Sequence, residues 1–141
     1  MGGARGEHAP LYSTALGRAI LAALPAQERQ TLVRQARVEP LTERTIVDQD
    51  LLEEELAVTT TRGWSDEHGE TQIGVSCFGA ALVGPSGRPI GAISISVPDA
   101  RLDPKRERHL GTAIKRVAKT VVAALPDPAK DGHPVAKATS A

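Results

Sequence analysis

A cysteine and two serines offer the most chemistry in an otherwise apolar stretch of this sequence. Cys77 lies in a run of small and β-branched residues, and Ser94 and Ser96 lie two positions apart in a second such run. A thiol becomes a nucleophile only where its pKa is lowered, and hydroxyl groups in an apolar strand need a polar partner. The three residues therefore indicate either a surface that binds a small polar molecule or an inert buried cysteine beside serines that bond to backbone. Inert buried cysteine is the commoner case.

A turn sequence separates the two runs. Pro85-Ser86-Gly87-Arg88 predicts an antiparallel hairpin with a two-residue loop at its centre. In that register Cys77 faces Ser96 and Gly79 faces Ser94, and opposed residues share one face of a sheet. A four-residue loop gives the same faces, whereas a three- or five-residue loop turns the thiol away from the serines. Neither run alternates polar with apolar residues, so we expect both faces of the hairpin to be covered.

A cluster of charged side chains precedes the first run. The stretch Ser65–Thr71 contains Asp66, Glu67, His68 and Glu70. Such a cluster could bind a metal or form an acid–base pair, but the sequence has no second ligand cluster, and loops are polar by default. We interpret the stretch as a solvated acidic loop and expect no metal site. One cysteine also excludes an internal disulfide.

The elements that position these residues begin with a helix near the N-terminus. Thr14 is a candidate N-cap for a helix over residues 15–24, and its apolar stripe is predicted to be Leu16, Ala19, Ile20 and Ala23. The backbone N–H groups of the first turn, at Ala15 and Leu16, attract anions, although an ordinary capped helix is the simpler interpretation.

Three further helices are expected. The second covers residues 25 to about 37. The third begins at Asp50 as N-cap, runs to about Thr61 on the surface of the sheet, and ends at Gly63. Asp103 and Pro104 start a long amphipathic helix that extends to about residue 125.

Composition limits the possible classes. The 141 residues fit one domain, and 17 basic residues balance 17 acidic ones, which argues against a stand-alone DNA-binding protein. The sequence contains no apolar segment of membrane-spanning length and no signal-peptide pattern, so a cytoplasmic protein is the default expectation.

Several motifs, in this order and spacing, match a known family: His8–Ala22, Leu41–Ile46, Arg62–Trp64, Gly69-Glu70 with Gly74-Val75-Ser76-Cys77, and Ala92–Pro98. Together they resemble the effector-binding domain of IclR-type bacterial transcription regulators. The resemblance implies an α+β fold with a GAF-like antiparallel sheet flanked by helices and a truncated N-terminal part. It places the effector-binding domain at residues 8–125, after a disordered or partial start at 1–7 and before a disordered tail at 126–141.

The resemblance also implies a set of ligand contacts. Members bind their effector through the start of the small-residue helix, the cysteine strand and the Ser-x-Ser strand, and through an acidic residue ten positions before the cysteine. In this sequence the contacts are the backbone N–H groups of Ala15 and Leu16 and the side chains of Glu67, Cys77, Ser94 and Ser96.

The partners implied are a small organic or aromatic acid and further copies of the chain, in a homodimer or homotetramer. No cofactor and no membrane contact are expected. DNA would be bound only through a winged helix-turn-helix domain, whose pattern is absent from these residues.

Two other functions stay open. A domain that only mediates oligomer contacts predicts a sheet edge that pairs between chains. An enzyme with Cys77 as its nucleophile predicts a thiol that reacts fast at neutral pH. We expect a ligand-sensing module and not an enzyme.

Overall fold

The computed structural model describes residues 10–126, and the predictions for residues 1–7 and for the tail beyond Pro126 lie outside that range. The described residues form an α+β fold, which confirms the predicted class. Its elements are α1 (Ala15–Ala23), α2 (Ala26–Gln35), α3 (Gln49–Arg62), β1 (Ser65–His68), β2 (Val75–Val83), β3 (Pro89–Pro98), a 3₁₀ turn (Asp99–Arg101) and α4 (Pro104–Ala124).

The sheet has the strand order β1-β2-β3 and is antiparallel throughout. Cys77 pairs with Ser96 and Gly79 pairs with Ser94, as predicted. The predicted loop length was wrong, because β2 ends at Val83 and β3 begins only at Pro89. A bulge between Leu82 and Val83 shifts the register there by one residue, so the longer loop still leaves the thiol and the serines on one face.

The stretch predicted as a solvated acidic loop is instead strand β1 with the turn that follows it. Ser65–His68 pairs with Ser76–Gly79 of β2, and both Glu67 and Glu70 are buried. The prediction was wrong because these carboxylates accept hydrogen bonds from protein donors instead of water.

Helix α1 lies against the sheet face that carries Gly79. A Cβ at Gly79 would come within 2.6 Å of the Ala15 carbonyl oxygen, and Ser65 Oγ donates a hydrogen bond of 2.5 Å to the same oxygen. The predicted apolar stripe of α1 was wrong: Ala19 is buried as expected, but Leu16, Ile20 and Ala23 are only half-buried. The sheet and α3 cover α1 from two sides, and its buried set is Ala15, Gly17, Arg18, Ala19, Leu21 and Ala22.

Helices α1, α2 and α3 share an aliphatic core made of Leu21, Ala22, Val33, Leu52 and Leu56. Helix α3 packs mainly on α1 and not on the sheet, contrary to our expectation. Its N-cap is Asp48, whose Oδ1 accepts from the amides of Asp50 and Leu51 at 2.9 and 3.0 Å, so the predicted cap at Asp50 was two residues late. Gly63 ends the helix at φ 82°, as predicted.

Helix α4 covers the opposite face of the sheet. It begins after Asp103, whose carboxylate accepts from the Arg106 amide at 2.8 Å, as predicted. Gly111 of α4 packs against Trp64, which lies 6.1 Å from Phe78 of β2 between ring centroids. Strand β2 is therefore covered on both faces, whereas Ser94, Ile95 and Ser96 of β3 are exposed, so the expected coverage holds for β2 alone.

The close approach of α1 to Gly79 gives a first prediction. Gly79→Ala should lower the free energy of unfolding by about 1–3 kcal/mol, because its methyl group would displace the Ala15 carbonyl. Gly91→Ala on β3 is the matched control, since a Cβ there meets only Leu82 Cδ1 at 3.6 Å. Urea denaturation measures both, and equal stability of the two variants would contradict the packing described.

Candidate ligand-binding site

Six residues of the three strands form two adjacent rows on the face of the sheet that α1 covers. Glu67, Cys77 and Ser96 are opposed across β1, β2 and β3, and Ser65, Gly79 and Ser94 form the next row. Within the first row the Cys77 Sγ lies 3.3 Å from Ser96 Oγ. An acid, a thiol and a hydroxyl group therefore line up across the sheet.

The start of α1 lies over the second row. Thr14 caps the helix by accepting from the Gly17 amide at 3.0 Å. No acceptor among residues 10–126 bonds to the amides of Ala15 and Leu16, the first two of the helix. Since Ala15 is in contact with Gly79, the start of α1 lies beside the strand positions of the other predicted contacts, which are Glu67, Cys77, Ser94 and Ser96.

Burial changes steadily across this site. Ala15 and Glu67 are each only 1% exposed, Leu16 and Cys77 are half-buried, and Ser94 and Ser96 are exposed on β3. The site is therefore closed on the β1 side and open on the β3 side. A ligand that reached the two serine hydroxyls would approach from the β3 side.

The electrostatic environment keeps the thiol neutral. Burial raises the pKa of Cys77 to about 11, the neighbouring Glu67 carboxylate adds to that rise, and the hydrogen bond with Ser96 opposes it. At neutral pH the side chain is a protonated thiol and therefore a poor nucleophile. This chemistry suits a hydrogen-bonding contact and not covalent catalysis.

Glu67 is held by the turn that follows β1. Its Oε2 accepts from the Glu70 amide at 2.8 Å and its Oε1 accepts from Thr71 Oγ1 at 2.9 Å. The next carboxylate, Glu70, forms a buried ion pair with Arg18 of α1. Sequence reasoning did not find this pair. The one available signal was that Arg18 is the only charged residue of α1.

A second polar network lies on the opposite face of the sheet. His68 is bonded through Nε2 to Asp66 at 3.2 Å and through Nδ1 to Ser76 at 2.9 Å, and Ser76 Oγ donates to Asp99 at 2.6 Å. Because Ser76 donates its proton to Asp99, its oxygen can accept from His68 Nδ1, and in the protonated ring both nitrogens donate, to Ser76 and to Asp66. The hydrogen-bonded side chains of Asp66, His68 and Ser76 resemble a catalytic triad in their order. Ser76 is buried, however, and it donates to Asp99 and not to the histidine.

Both members of the ion pair in this network have shifted pKa values. The hydrogen bond to Asp66 raises the pKa of His68 above its usual value despite partial burial. Burial alone would raise the pKa of Asp66, but hydrogen bonds from His68 and Arg62 outweigh it and leave that pKa below its usual value.

A cavity of about 660 Å³ lies at the other end of α1. Seven alanines of α1, β2 and α4 line it, together with Thr59 and Thr60 of α3 and Lys115 and Lys119 of α4. None of the six predicted contacts lines it. The six predicted contacts thus lie outside this cavity, although Ala81, on the same sheet face as Cys77, borders it.

Comparison with known proteins decides the family. Residues 2–123 match the family described as bacterial transcriptional regulator IclR C-terminal. The chain belongs to that family. The resemblance inferred from the sequence motifs is thereby confirmed, and the family and its curated relatives are regulators of transcription, in agreement with the prediction of a regulatory domain and not an enzyme.

Curated relatives of this IclR-type domain are repressors. The chain is 32% identical over 120 residues to the HTH-type transcriptional repressor AllR of Klebsiella pneumoniae, which covers 85% of this chain and 44% of AllR. It is 31% identical over 115 residues to the transcriptional repressor IclR of Escherichia coli K12, covering 82% of this chain and 42% of that protein. The chain thus spans less than half the length of either relative.

Solved structures share the fold. A transcriptional regulator, RHA06195 from Rhodococcus sp. RHA1, superposes with a TM-score of 0.80 at 28% identity over 87% of this chain and 50% of that chain. The C-terminal domain of Escherichia coli KdgR gives a TM-score of 0.73 at 27% identity over 81% of this chain and 70% of that one. These matches confirm the α+β fold.

The described part of the chain lacks two further features. No helix there is long and apolar enough to cross a bilayer. Likewise, no group of three or more His, Cys, Asp or Glu side chains within residues 10–126 is arranged to hold a metal ion.

The raised pKa of Cys77 predicts slow alkylation. At pH 7.5 iodoacetamide should modify Cys77 of the folded chain at least about tenfold more slowly than it modifies N-acetylcysteine, because little thiolate is present. In denaturant the two rates should become similar. A folded-state rate equal to that of the free thiol would contradict the environment described.

The His68 network predicts a pH-dependent contribution to stability. A folded-state pKa above the unfolded value makes the contribution complete below about pH 6.5, and it is lost as the pH rises through the folded-state pKa. The stability difference between the natural chain and His68→Gln should therefore be larger at pH 5.5 than at pH 8.5. It should stay below about 1 kcal/mol, since His68 is half-exposed and screened.

Urea denaturation across that pH range measures the difference. His109→Gln, at an exposed position of α4, is the matched histidine substitution outside this network. A larger contribution of His68 at pH 8.5 than at pH 5.5 would show that the ring is not held as a cation.

Proposed function

We propose that this chain is the ligand-sensing domain of a transcriptional regulator and that it binds a small carboxylate or aromatic acid. The observation that carries the proposal is the convergence of the α1 start with Cys77, Ser94 and Ser96 around Gly79. The amides of a helix start and hydroxyl groups are donors that suit a carboxylate.

The ligand would lie with its carboxylate toward the amides of Ala15 and Leu16 and toward the two serine hydroxyls. Its apolar part would pack on Val75 and Ala81, which share the same sheet face as Gly79. Gly79 itself lies beneath the Ala15 carbonyl. Glu67 and the neutral Cys77 would contact the polar end of the molecule that lies away from the carboxylate.

A structural relative supports an acid as ligand. The inducer-binding domain of the PobR transcription factor from Acinetobacter, in a double-mutant form, was solved as a complex with 3-hydroxybenzoic acid. It is 19% identical to this chain with a TM-score of 0.72, so the likeness extends to the fold. We carry over only the class of ligand, an organic acid.

Regulation would follow from ligand-dependent assembly. We propose that the chain forms a homodimer or homotetramer in the cytoplasm and that the ligand favours one arrangement of the subunits over another. A winged helix-turn-helix domain, which is not among these residues, would then report that arrangement to DNA.

One observation favours a second candidate function, an oligomerisation domain without a ligand. Strand β3 is one of the two outer strands of the described sheet, and its Ile90 and Ile95 are exposed. An open apolar edge of this kind can pair with another strand. This candidate predicts a cooperatively folded oligomer that binds no acid.

A thermal-shift titration with pyruvate, benzoate and 3-hydroxybenzoate tests the proposal. At a hundredfold excess over Kd, a ligand of the folded state adds about 2.7 kcal/mol of stability, which raises Tm by several degrees. We expect at least one acid to do so. The variant Ser94→Ala with Ser96→Ala should bind that acid about tenfold or more weakly, because two donors to a carboxylate are lost.

Ser86→Ala, in the hairpin loop, is the matched control and should keep the affinity of the natural chain. A cooperative melt that none of the acids shifts would favour the oligomerisation domain. Equal affinity in the double serine variant and the control would show that the acid binds elsewhere.

A further inference from the structure

A buried ion pair joins α1 to the turn after β1. The side chains of Arg18 and Glu70 are only 2% and 8% exposed. Arg18 Nη1 donates to Glu70 Oε1 at 2.8 Å, and Nη2 donates to Glu70 Oε2. The two parallel bonds form a bidentate contact, which fixes orientation as well as distance.

The same guanidinium bonds to two further segments. Its Nε donates to the Tyr12 carbonyl oxygen at 3.0 Å, in the lead-in to α1, and its Nη1 donates to the Asp66 carbonyl oxygen at 3.2 Å, in β1. Arg18 therefore ties the start of α1 to the strand and to the turn that carries the acids.

Glu70 passes this restraint on to Glu67. Its backbone amide donates to Glu67 Oε2 at 2.8 Å, while its own carbonyl oxygen accepts from Thr45 Oγ1 at 2.6 Å. The Ile46 amide also donates to Glu70 Oε2 at 3.4 Å. Glu70 is thus bonded to Arg18 through its side chain and to the Glu67 carboxylate through its backbone amide. Glu67 is the residue opposite Cys77.

Stability alone is a poor explanation for this arrangement. Removing two charges from water is costly, and well-packed apolar residues often replace a buried ion pair without loss of stability. What an apolar pair cannot supply is the directional set of bonds from Arg18 to three separate segments.

We infer that Arg18 and Glu70 are positioning residues of the candidate site, which set the place of the Glu67 carboxylate relative to Cys77 and to the start of α1. The consequence for ligand affinity rests on the proposed function. The positioning of Glu67 does not rest on it, because the pKa of the Cys77 thiol can be measured without any ligand.

The test uses the thiol as a probe, since Cys77 is the only cysteine of the 141-residue chain. The pH dependence of its alkylation by iodoacetamide gives its pKa, to which Glu67 contributes a rise. In the variant Arg18→Met with Glu70→Leu, we expect the pKa of Cys77 to fall by about half a unit or more, because the Glu67 carboxylate is no longer held beside the thiol. At any fixed pH well below that pKa, the thiolate fraction then rises roughly threefold or more.

A double-mutant cycle separates positioning from general loosening. In a Glu67→Gln background the paired substitution should leave the thiol pKa unchanged, because the carboxylate through which it acts is gone. A fall of the same size in that background would overturn the inference. So would a paired variant whose thiol pKa equals that of the natural chain.

A second ion pair provides the matched control. Arg29 of α2 and Glu53 of α3 are joined at 2.6 Å with side-chain exposures of 9% and 27%, and neither contacts the site. Arg29→Met with Glu53→Leu makes the same chemical change and should leave the thiol pKa unaltered. An equal fall in this control would mean that any weakening of the fold moves the thiol.

Arg18→Lys serves if the paired variant does not fold. It keeps the positive charge but loses the two parallel donors of the guanidinium, so a fall of the Cys77 pKa is again expected, and its absence would count against positioning.

Titration with 3-hydroxybenzoate, pyruvate and benzoate completes the test. If one of them binds the natural chain, the paired variant should bind it at least about tenfold more weakly, and the Arg29 and Glu53 control equally well.

If none of the three acids binds the natural chain, the proposed function fails while the thiol cycle still decides the positioning of Glu67. An acid that binds the paired variant and the natural chain with equal affinity would overturn the role of the pair at the ligand site.

Discussion

The contact between α1 and the sheet at Gly79 is the constraint on which the site depends. A helix backbone can approach a sheet this closely only where the strand residue has no side chain, and the Ala15 carbonyl occupies the space that a Cβ would fill. Ser65 donates its hydroxyl proton to that carbonyl, so the buried Ala15 oxygen has a hydrogen-bond partner. The first turn of α1 consequently lies over the row formed by Ser65, Gly79 and Ser94.

The sequence alone predicted the hairpin and the pairing of Cys77 with Ser96 and of Gly79 with Ser94. A period of two and one turn sequence place Cys77 opposite Ser96, and the register holds even though the loop is longer than expected, since a bulge at Leu82 and Val83 absorbs the extra residue. Strong local signals were also sufficient for Thr14, Gly63 and Asp103 as helix-end residues. These features depend on neighbours in sequence, which is why local patterns reveal them.

What could not be predicted depends on partners distant in sequence. Strand β1 has the sequence Ser-Asp-Glu-His, which carries no β-branched or aromatic residue and becomes a strand only by pairing with β2. Arg18 and Glu70 are 52 positions apart, and each by itself is typical of a solvated surface. Because the two charges pair in the folded chain, both side chains are buried and not solvated. Glu67 is buried as well, with the Glu70 amide as a hydrogen-bond donor.

The central claim is that a small acid binds where α1 meets the sheet, and a heteronuclear NMR titration of the chain with 3-hydroxybenzoate, pyruvate or benzoate tests it most directly. The account predicts saturable shifts of the Ala15 and Leu16 amides together with those of Cys77, Ser94 and Ser96. Residues around the alanine-lined cavity, such as Ala118, should stay unchanged. Saturable shifts confined to that cavity, or none from any of the three acids, would contradict it.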